Sequence, residues 1–338
     1  MGFPHDPVAE IDWLLRARAG DAAAFDRLMA PRRRQLHAHC YRMLGSPFDA
    51  DDALQETLLA AWRGLASFES RSALGTWLYR IATHVCLRLI AQRPRRITSP
   101  DHSAPLQATH ELGEPVAGPV WLEPLPDDDH LVGTYEDPAT TLQRREHVAL
   151  AFVAALQHLP GTQRAVLLLR EVLEYSAAEA AEMLDTSVAS VNSALQRAQK
   201  TVKERTPATE LQRFSEQALD GLLRRFVSAW ERRDIAAMVG LLAEDARFTM
   251  PPLPAWFNGR RFALMFFAER VFQTPWRLQP LRGNGQPGFA CYMQQAGDDC
   301  FRPGGVVLLS LREGLIDSID SFIDPAVCRR FGMSDELF

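Results

Sequence analysis

Over the first 98 residues the apolar positions recur at helical spacing. Phe25, Leu28 and Met29 share one face of a stretch that Asp21 is placed to cap. Gly45-Ser46-Pro47 interrupts it, and a second amphipathic helix is predicted from about Ala50 to Arg63. After a loop from Gly64 to Ser72, a third helix begins near Gly75-Thr76 and stops before Pro94. Its core side carries Leu78, Ile81, Ala82, Val85 and Leu89, and its other side Trp77, Arg80, His84 and Arg88. From 99 to 137 the periodicity lapses. Prolines such as Pro100, Pro105, Pro115 and Pro124 punctuate a stretch of low hydrophobicity, which reads as an extended linker unable to fold alone. Its apolar island Val120-Trp121-Leu122 is expected to dock on a neighbour.

Helical spacing returns over 138–206. Pro138 suits a first helical turn, Leu159-Pro160 ends that helix, and Thr162 is placed to cap the next. Two short helices, Ser176 to Leu184 and Val188 to Lys200, then flank the turn Asp185-Thr186-Ser187. In the second, Val188, Val191, Leu195, Ala198 and Val202 make the apolar stripe, opposite Asn192, Ser193, Gln196, Arg197 and Lys200. Over 207–338, helices are predicted from about Thr209 to Ala243 and from Arg260 to Phe272. Strands are predicted at Phe248–Met250, Phe289–Gln294, Gly305–Leu311 and Leu315–Ile323, as an antiparallel run. The expected architecture is multidomain: all-α over 1–98, a linker over 99–137, all-α over 138–206 and α+β over 207–338.

Charge changes this picture only when it is divided along the chain. The net −5 hides a first segment of 14 Arg against 10 acids and a second, over 99–145, of 2 Arg against 9 acids. A basic helical module followed by an acidic strip is compatible with nucleic acid, where a uniformly acidic chain would not be. Five scattered cysteines with no CxxC pair read as free thiols in a reducing cytoplasm. Neither a membrane span nor a secretory signal is visible.

The helices around 185–187 have the layout of a helix-turn-helix, whose second helix enters the major groove. Asn192, Ser193 and Gln196 can reach base edges, and Arg197 and Lys200 bases or phosphates. A plain helical hairpin with a solvated face has the same pattern. The mixed aromatic and basic side of the third N-terminal helix suits single-stranded or melted DNA, with Phe68 and Arg71 in the loop before it; Trp77 in a core with solvated arginines is the bland alternative. Asp51, Asp52, Gln55 and Glu56 form an acidic patch that would repel phosphate, so it suits a basic protein partner or simply the acid preference of a helix start. His37, His39 and Cys40 carry metal-ligating groups, but i,i+2 positions point to different sides of a helix.

The runs Asp49-Ala-Asp-Asp-Ala-Leu-Gln-Glu-Thr57, Trp62, and Phe68 through Thr83 resemble domain 2 of extracytoplasmic-function (ECF) sigma factors of the sigma-70 family. Leu159-Pro160 through Arg170 and on to Arg197-Ala198 resembles their domain 4. Residues 210–338 resemble a SnoaL-like cone through Trp230, Asp245–Met250, Phe257-Asn-Gly259 and Ile319–Pro325, and Trp121-Leu-Glu-Pro-Leu-Pro126 resembles the linker of the subset that carries such a domain. The resemblance implies that Asp51, Asp52, Gln55 and Glu56 dock on RNA polymerase β′. It implies that Arg71, Trp77, Arg80 and His84 face the −10 element, and that Asn192, Ser193, Gln196 and Arg197 read the −35 element. Core RNA polymerase (β and β′) and promoter DNA are the implied partners, with no cofactor, no metal and no catalytic residue. His84 and Arg88 stand where family members often have Asn and an acid. In the cone, all nine histidines are missing, which leaves Asp245, Asp317 and Asp320 as bases for a cyclase or isomerase reading. Trp256, Phe257, Phe266, Phe289 and Tyr292 line a pocket or pack in a core. A regulator with a ligand-sensing cone, in which a small molecule or an intramolecular ligand is bound, is the other alternative. It has no need of the acidic patch.

Overall fold

A computed structural model of the chain describes residues 7–68, 73–118, 120–127, 149–206 and 216–338. The chain forms two compact units, one of residues 1–95 with 155–202 and one of residues 96–154 with 203–338.

The first unit begins with α1 (Pro7–Arg18), α2 (Ala22–Leu44), α3 (Pro47–Gly64) and α4 (Leu74–Gln92). Asp21 caps α2 by accepting from the Ala24 N–H at 3.1 Å. Gly45, at φ 73°, ends it in the left-handed conformation that glycine takes without strain. Ser46 then caps α3, with Pro47 in its first turn, where the missing N–H costs nothing. Leu28, Met29, Leu36, Met43, Leu65 and Leu78 are all but fully enclosed where α2, α3 and α4 meet.

The same unit takes in the end of α6 (Leu150–Gln157), α7 (Gly161–Leu167) with a π turn at Leu168–Val172, α8 (Ala177–Met183) and α9 (Val188–Arg205); α5 (Ser99–His102) belongs to the other unit. The cap of α7 is Pro160 rather than Thr162. The helical conformation starts at Gly161, and the Pro160 carbonyl accepts from the Arg164 N–H at 3.0 Å. Ser176 caps α8 reciprocally with Glu179. Val188 departs from the predicted stripe and is 44% exposed. It sits at the helix end, outside the cluster of Val166, Leu169, Ala180, Met183, Val191 and Ala194. The helix predicted from Pro138 lies outside the described residues.

The second unit holds a six-stranded sheet in the order β2-β1-β6-β5-β4-β3, where β1 is Leu242–Thr249, β2 Trp256–Asn258, β3 Trp276–Gly283, β4 Gln286–Met293, β5 Arg302–Arg312 and β6 Leu315–Phe322. Helices α10 (Glu216–Glu231), α11 (Ile235–Val239), α12 (Arg260–Glu269) and α13 (Pro325–Arg330) complete it. Two expectations are corrected. The helix predicted to Ala243 yields at Gly240 to a strand, and β1 pairs with β6 in parallel while the other pairs are antiparallel. The edge strand β3 was hidden by Arg277, Gln279, Pro280 and Arg282, which are all exposed. That edge is blunted: Pro280 has no N–H, and the Leu278 N–H donates to Glu231 Oε1 at 3.0 Å.

The proline-rich linker takes its core from this sheet unit. Leu106 N donates to Trp256 O at 2.8 Å and Val116 N to Pro252 O at 2.9 Å. Trp121, Leu122 and Leu125 are buried. Asn284, in the β3–β4 turn, accepts from Leu125 N at 2.8 Å and returns its own N–H to Leu125 O at 2.9 Å. Gln286 accepts from Leu150 N at 2.9 Å, so one hairpin holds both the linker and the start of α6.

Candidate nucleic-acid and polymerase interface

The polar face of α9 is open. Asn192, Ser193, Gln196 and Arg197 are all exposed on it, while Val191, Ala194 and Ala198 bury the opposite side. Ser187 orders the start of the helix by accepting from Ser190 N at 3.2 Å. The sequence therefore places all four side chains on one solvent face without further help.

On α4, Leu78, Ala82, Val85 and Leu89 are buried as predicted, while Ile81, also expected on the core side, is only half-buried. Trp77 is half-buried, with its ring 4.9 Å from that of Phe68. Gly64 makes room for it: a Cβ there would lie 3.2 Å from the indole. Arg80 and His84 emerge on the other side, but each already has a partner. Arg80 Nη2 donates to Asp185 Oδ1 at 2.7 Å, and His84 Nε2 lies 2.9 Å from the carbonyl oxygen of Met183. Arg71 lies outside the described residues. Arg88 is paired with Glu56.

The acidic patch is real but partly engaged. Asp51 Oδ1 lies 3.0 Å from His37 Nε2, and Asp52 is 3.7 Å from Arg93. Gln55 and Asp52 are exposed. The sequence reading missed Phe48 and Leu59, which are 37% and 55% exposed. With Asp52 and Gln55 they fall at i, i+4, i+7 and i+11 on α3, one continuous stripe that mixes apolar and acidic groups. Exposed apolar residues at that spacing were a signal available in the sequence.

The metal reading gains no support. His39 Nε2 is 2.9 Å from Thr83 Oγ1, and burial, reinforced by Arg42, pushes its pKa down to about 3. Cys86 lies against Cys40, and burial pushes its thiol up. Among the described residues no group of three or more His, Cys, Asp and Glu could hold a metal.

In the cone, the five aromatic candidates do not converge. Phe257 and Phe266 stack at 4.9 Å, and Phe289 stacks on Phe226 at 5.5 Å, all inside the core. Trp256 Nε1 donates instead to Ser103 O at 2.8 Å, and the Tyr292 hydroxyl accepts from Ser334 N at 3.1 Å. Asp245 is paired with Arg312, which holds its carboxyl below the usual range, and Asp317 lies 2.8 Å from the same guanidinium. Burial raises the Asp320 carboxyl, against the pull of Arg247 and of hydrogen bonds from Ser318 and Thr249. A groove of about 750 Å³ runs between α10 and β3, over Leu223, Val227, Leu278 and Phe289.

A helix-turn-helix with a free recognition face, a second helical module with a mixed aromatic and basic helix, and a fused cone together define a promoter-recognition protein of the sigma-70 class. Comparison with known proteins narrows this. The profiles described as Sigma-70 region 2, Sigma-70 region 4 and SnoaL-like domain match residues 28–96, 149–202 and 223–316. The chain is 40% identical over 335 residues to the ECF RNA polymerase sigma factor SigG of Mycobacterium tuberculosis, covering 95% of this chain and 86% of that protein. It is 32% identical over 180 residues to SigM of the same species, covering 53% and 76%. The crystal structure of the M. tuberculosis sigma factor SigJ shares the fold at a TM-score of 0.58 and 20% identity, over 89% of this chain and 97% of that one. The chain belongs to the ECF RNA polymerase sigma factors, which direct core polymerase to promoters and start transcription there. No helix among the described residues is long and apolar enough to cross a membrane.

Proposed function

We propose that this sigma factor divides its work among four parts: residues 1–98 dock on polymerase and hold the −10 element, 99–137 link, 138–206 read the −35 element, and 207–338 tune the activity. The observation that carries this is the free polar face of α9, exposed at every one of its four predicted reading positions. Asn192 and Gln196 suit adenine, and Arg197 suits guanine, because each forms two hydrogen bonds with that base in the major groove. The stripe Phe48, Asp52, Gln55 and Leu59 supports docking on core polymerase, since acid beside exposed apolar surface fits protein and repels DNA. Trp77, Arg80 and His84, with Arg71, would hold the opened strand. The protein acts in the cytoplasm, where polymerase works.

The cone is proposed to regulate and not to catalyse. Its interior is filled with stacked rings, Asp245 and Asp317 share the guanidinium of Arg312, and its hairpin grips the linker at Leu125 and the start of α6 at Leu150. Transcription by core polymerase from promoters selected with the full chain tests the assignment. Arg197→Ala should lower initiation and relax selectivity at one −35 position, by about 1–3 kcal/mol. Uniform weakening on every promoter would make Arg197 a phosphate contact, and initiation without the protein would refute the assignment altogether.

A further inference from the structure

The helix assigned to the −35 element opens on an apolar side chain. Val188 occupies the first position of α9 and is 44% exposed. It takes no part in the cluster of Val166, Leu169, Ala180, Met183, Val191 and Ala194 that seats the helix, nor is it among the partly buried residues packed on that cluster. Its neighbours are too short to cover it. Thr186, Ser187, Ala189 and Ser190 are all small and all exposed, and the hydroxyl oxygens of Ser187 and Ser190 lie 2.9 Å apart, each occupied by the other. A β-branched residue does not favour the helix either, because its side chain loses freedom against the preceding turn. The cluster beneath α9 draws no packing from Val188, and alanine would serve the helix as well.

Charge is distributed along α9 as unevenly as polarity. From Thr186 to Gln196 no residue is charged, and the cations Arg197, Lys200, Lys203 and Arg205 follow. Cations suit phosphate, which is the same at every sequence, whereas short uncharged groups suit base edges. In a helix-turn-helix the N-terminal part of the second helix is the part that reaches base edges. Val188 stands there, one turn before Asn192, at i and i+4 along one side of the helix. It has no donor or acceptor to offer. What an aliphatic side chain can read in the major groove is the C5 methyl group of thymine, which the other three bases lack. Branching helps, because χ1 is already held near one rotamer and little freedom is lost when the methyl groups are enclosed.

We propose that Val188 is a specificity residue of the −35 helix, which recognises a thymine by burying its methyl group. The register follows from the geometry. One helical turn rises ~5.4 Å against ~3.4 Å per base pair, so the thymine lies one or two base pairs from the base that Asn192 contacts. The inference rests on the −35 assignment of α9, and the experiment separates the two.

That experiment uses holoenzyme, the full chain with core polymerase, on a promoter from which it initiates. Each thymine of the −35 duplex, on either strand, is replaced in turn by deoxyuridine, which differs only in lacking the methyl group. One replacement should weaken promoter binding about fourfold, as for one methyl group returned to water. It should fall within two base pairs of the position at which Asn192→Ala relaxes base preference. Val188→Ala should weaken binding to the unmodified promoter by the same factor and make the holoenzyme indifferent to that replacement, so that both forms bind the deoxyuridine promoter alike. The thermal midpoint of the variant should not fall, since the cluster under α9 is left intact. Binding that no deoxyuridine changes, or a Val188→Ala holoenzyme that still prefers thymine to deoxyuridine by the parent's factor, overturns the role of Val188. If instead Asn192→Ala and Gln196→Ala leave binding undiminished at every −35 sequence, it is the −35 assignment of α9 that fails.

Discussion

His39 shows how a residue that looked like chemistry in the sequence serves packing in the fold. It is 1% exposed, held by Thr83, and kept neutral by burial and the nearby Arg42, with its pKa pushed from 6.5 to about 3. The unfolded chain takes up a proton below pH 6.5 and the folded one does not, so stability is intact above that pH and falls as acid is added. The loss is about 1.4 kcal/mol per pH unit, or about 2 kcal/mol at pH 5. Chemical denaturation between pH 7 and 5 should show that slope, and His39→Leu should flatten it. Asp245 and Asp317, which the sequence offered as bases, likewise have a partner in the fold and share the guanidinium of Arg312.

At the scale of elements, what a helix or strand presents depends on what it meets. Helix α9 needs only its own periodicity to expose four polar side chains, and so was legible. Strand β3 was not, because it lies at an edge and buries only Leu278 and Gly283, which leaves no alternation to read. Its neighbour β4 is shaped by a contact no pattern announces. A Cβ at Gly288 would stand 2.3 Å from the carbonyl oxygen of Val307 on β5. Gly288→Ala must therefore push two paired strands apart, at a cost of about 3 kcal/mol. Thermal unfolding of the full chain should show the loss, and an unchanged midpoint would mean that β4 and β5 can spread freely.

At the scale of the whole molecule, the linker is the element whose role changed most. Read alone it is a proline-rich strip with too little apolar surface to fold. In the structure it lends Trp121, Leu122 and Leu125 to the cone unit and is clasped by Asn284. A regulatory cone acts through that clasp if it acts on the spacing of the two DNA modules. Asn284→Gly removes the side-chain acceptor and keeps the φ of 54° accessible. Hydrogen exchange at the Leu125 amide should speed up about tenfold, because a buried N–H is left without its partner. Unchanged exchange would show that the backbone pairing alone secures the linker.

By itself the sequence determined the helices, the turn between α8 and α9, the solvent face of the recognition helix and the presence of a separate α+β domain. These follow from periodicity, capping groups and chain punctuation, all of which act over a few residues. Only the tertiary structure decided which groups are spoken for. Arg80 and His84 carry the same chemistry in either reading, and whether they face DNA or Asp185 depends on residues about a hundred positions away. The cone's aromatic residues were legible as apolar, but whether they lined a pocket or filled it depended on how six strands and their helices curl together. Local preference cannot report such contacts, because their energy comes from burial and pairing between segments that meet only when the chain is folded.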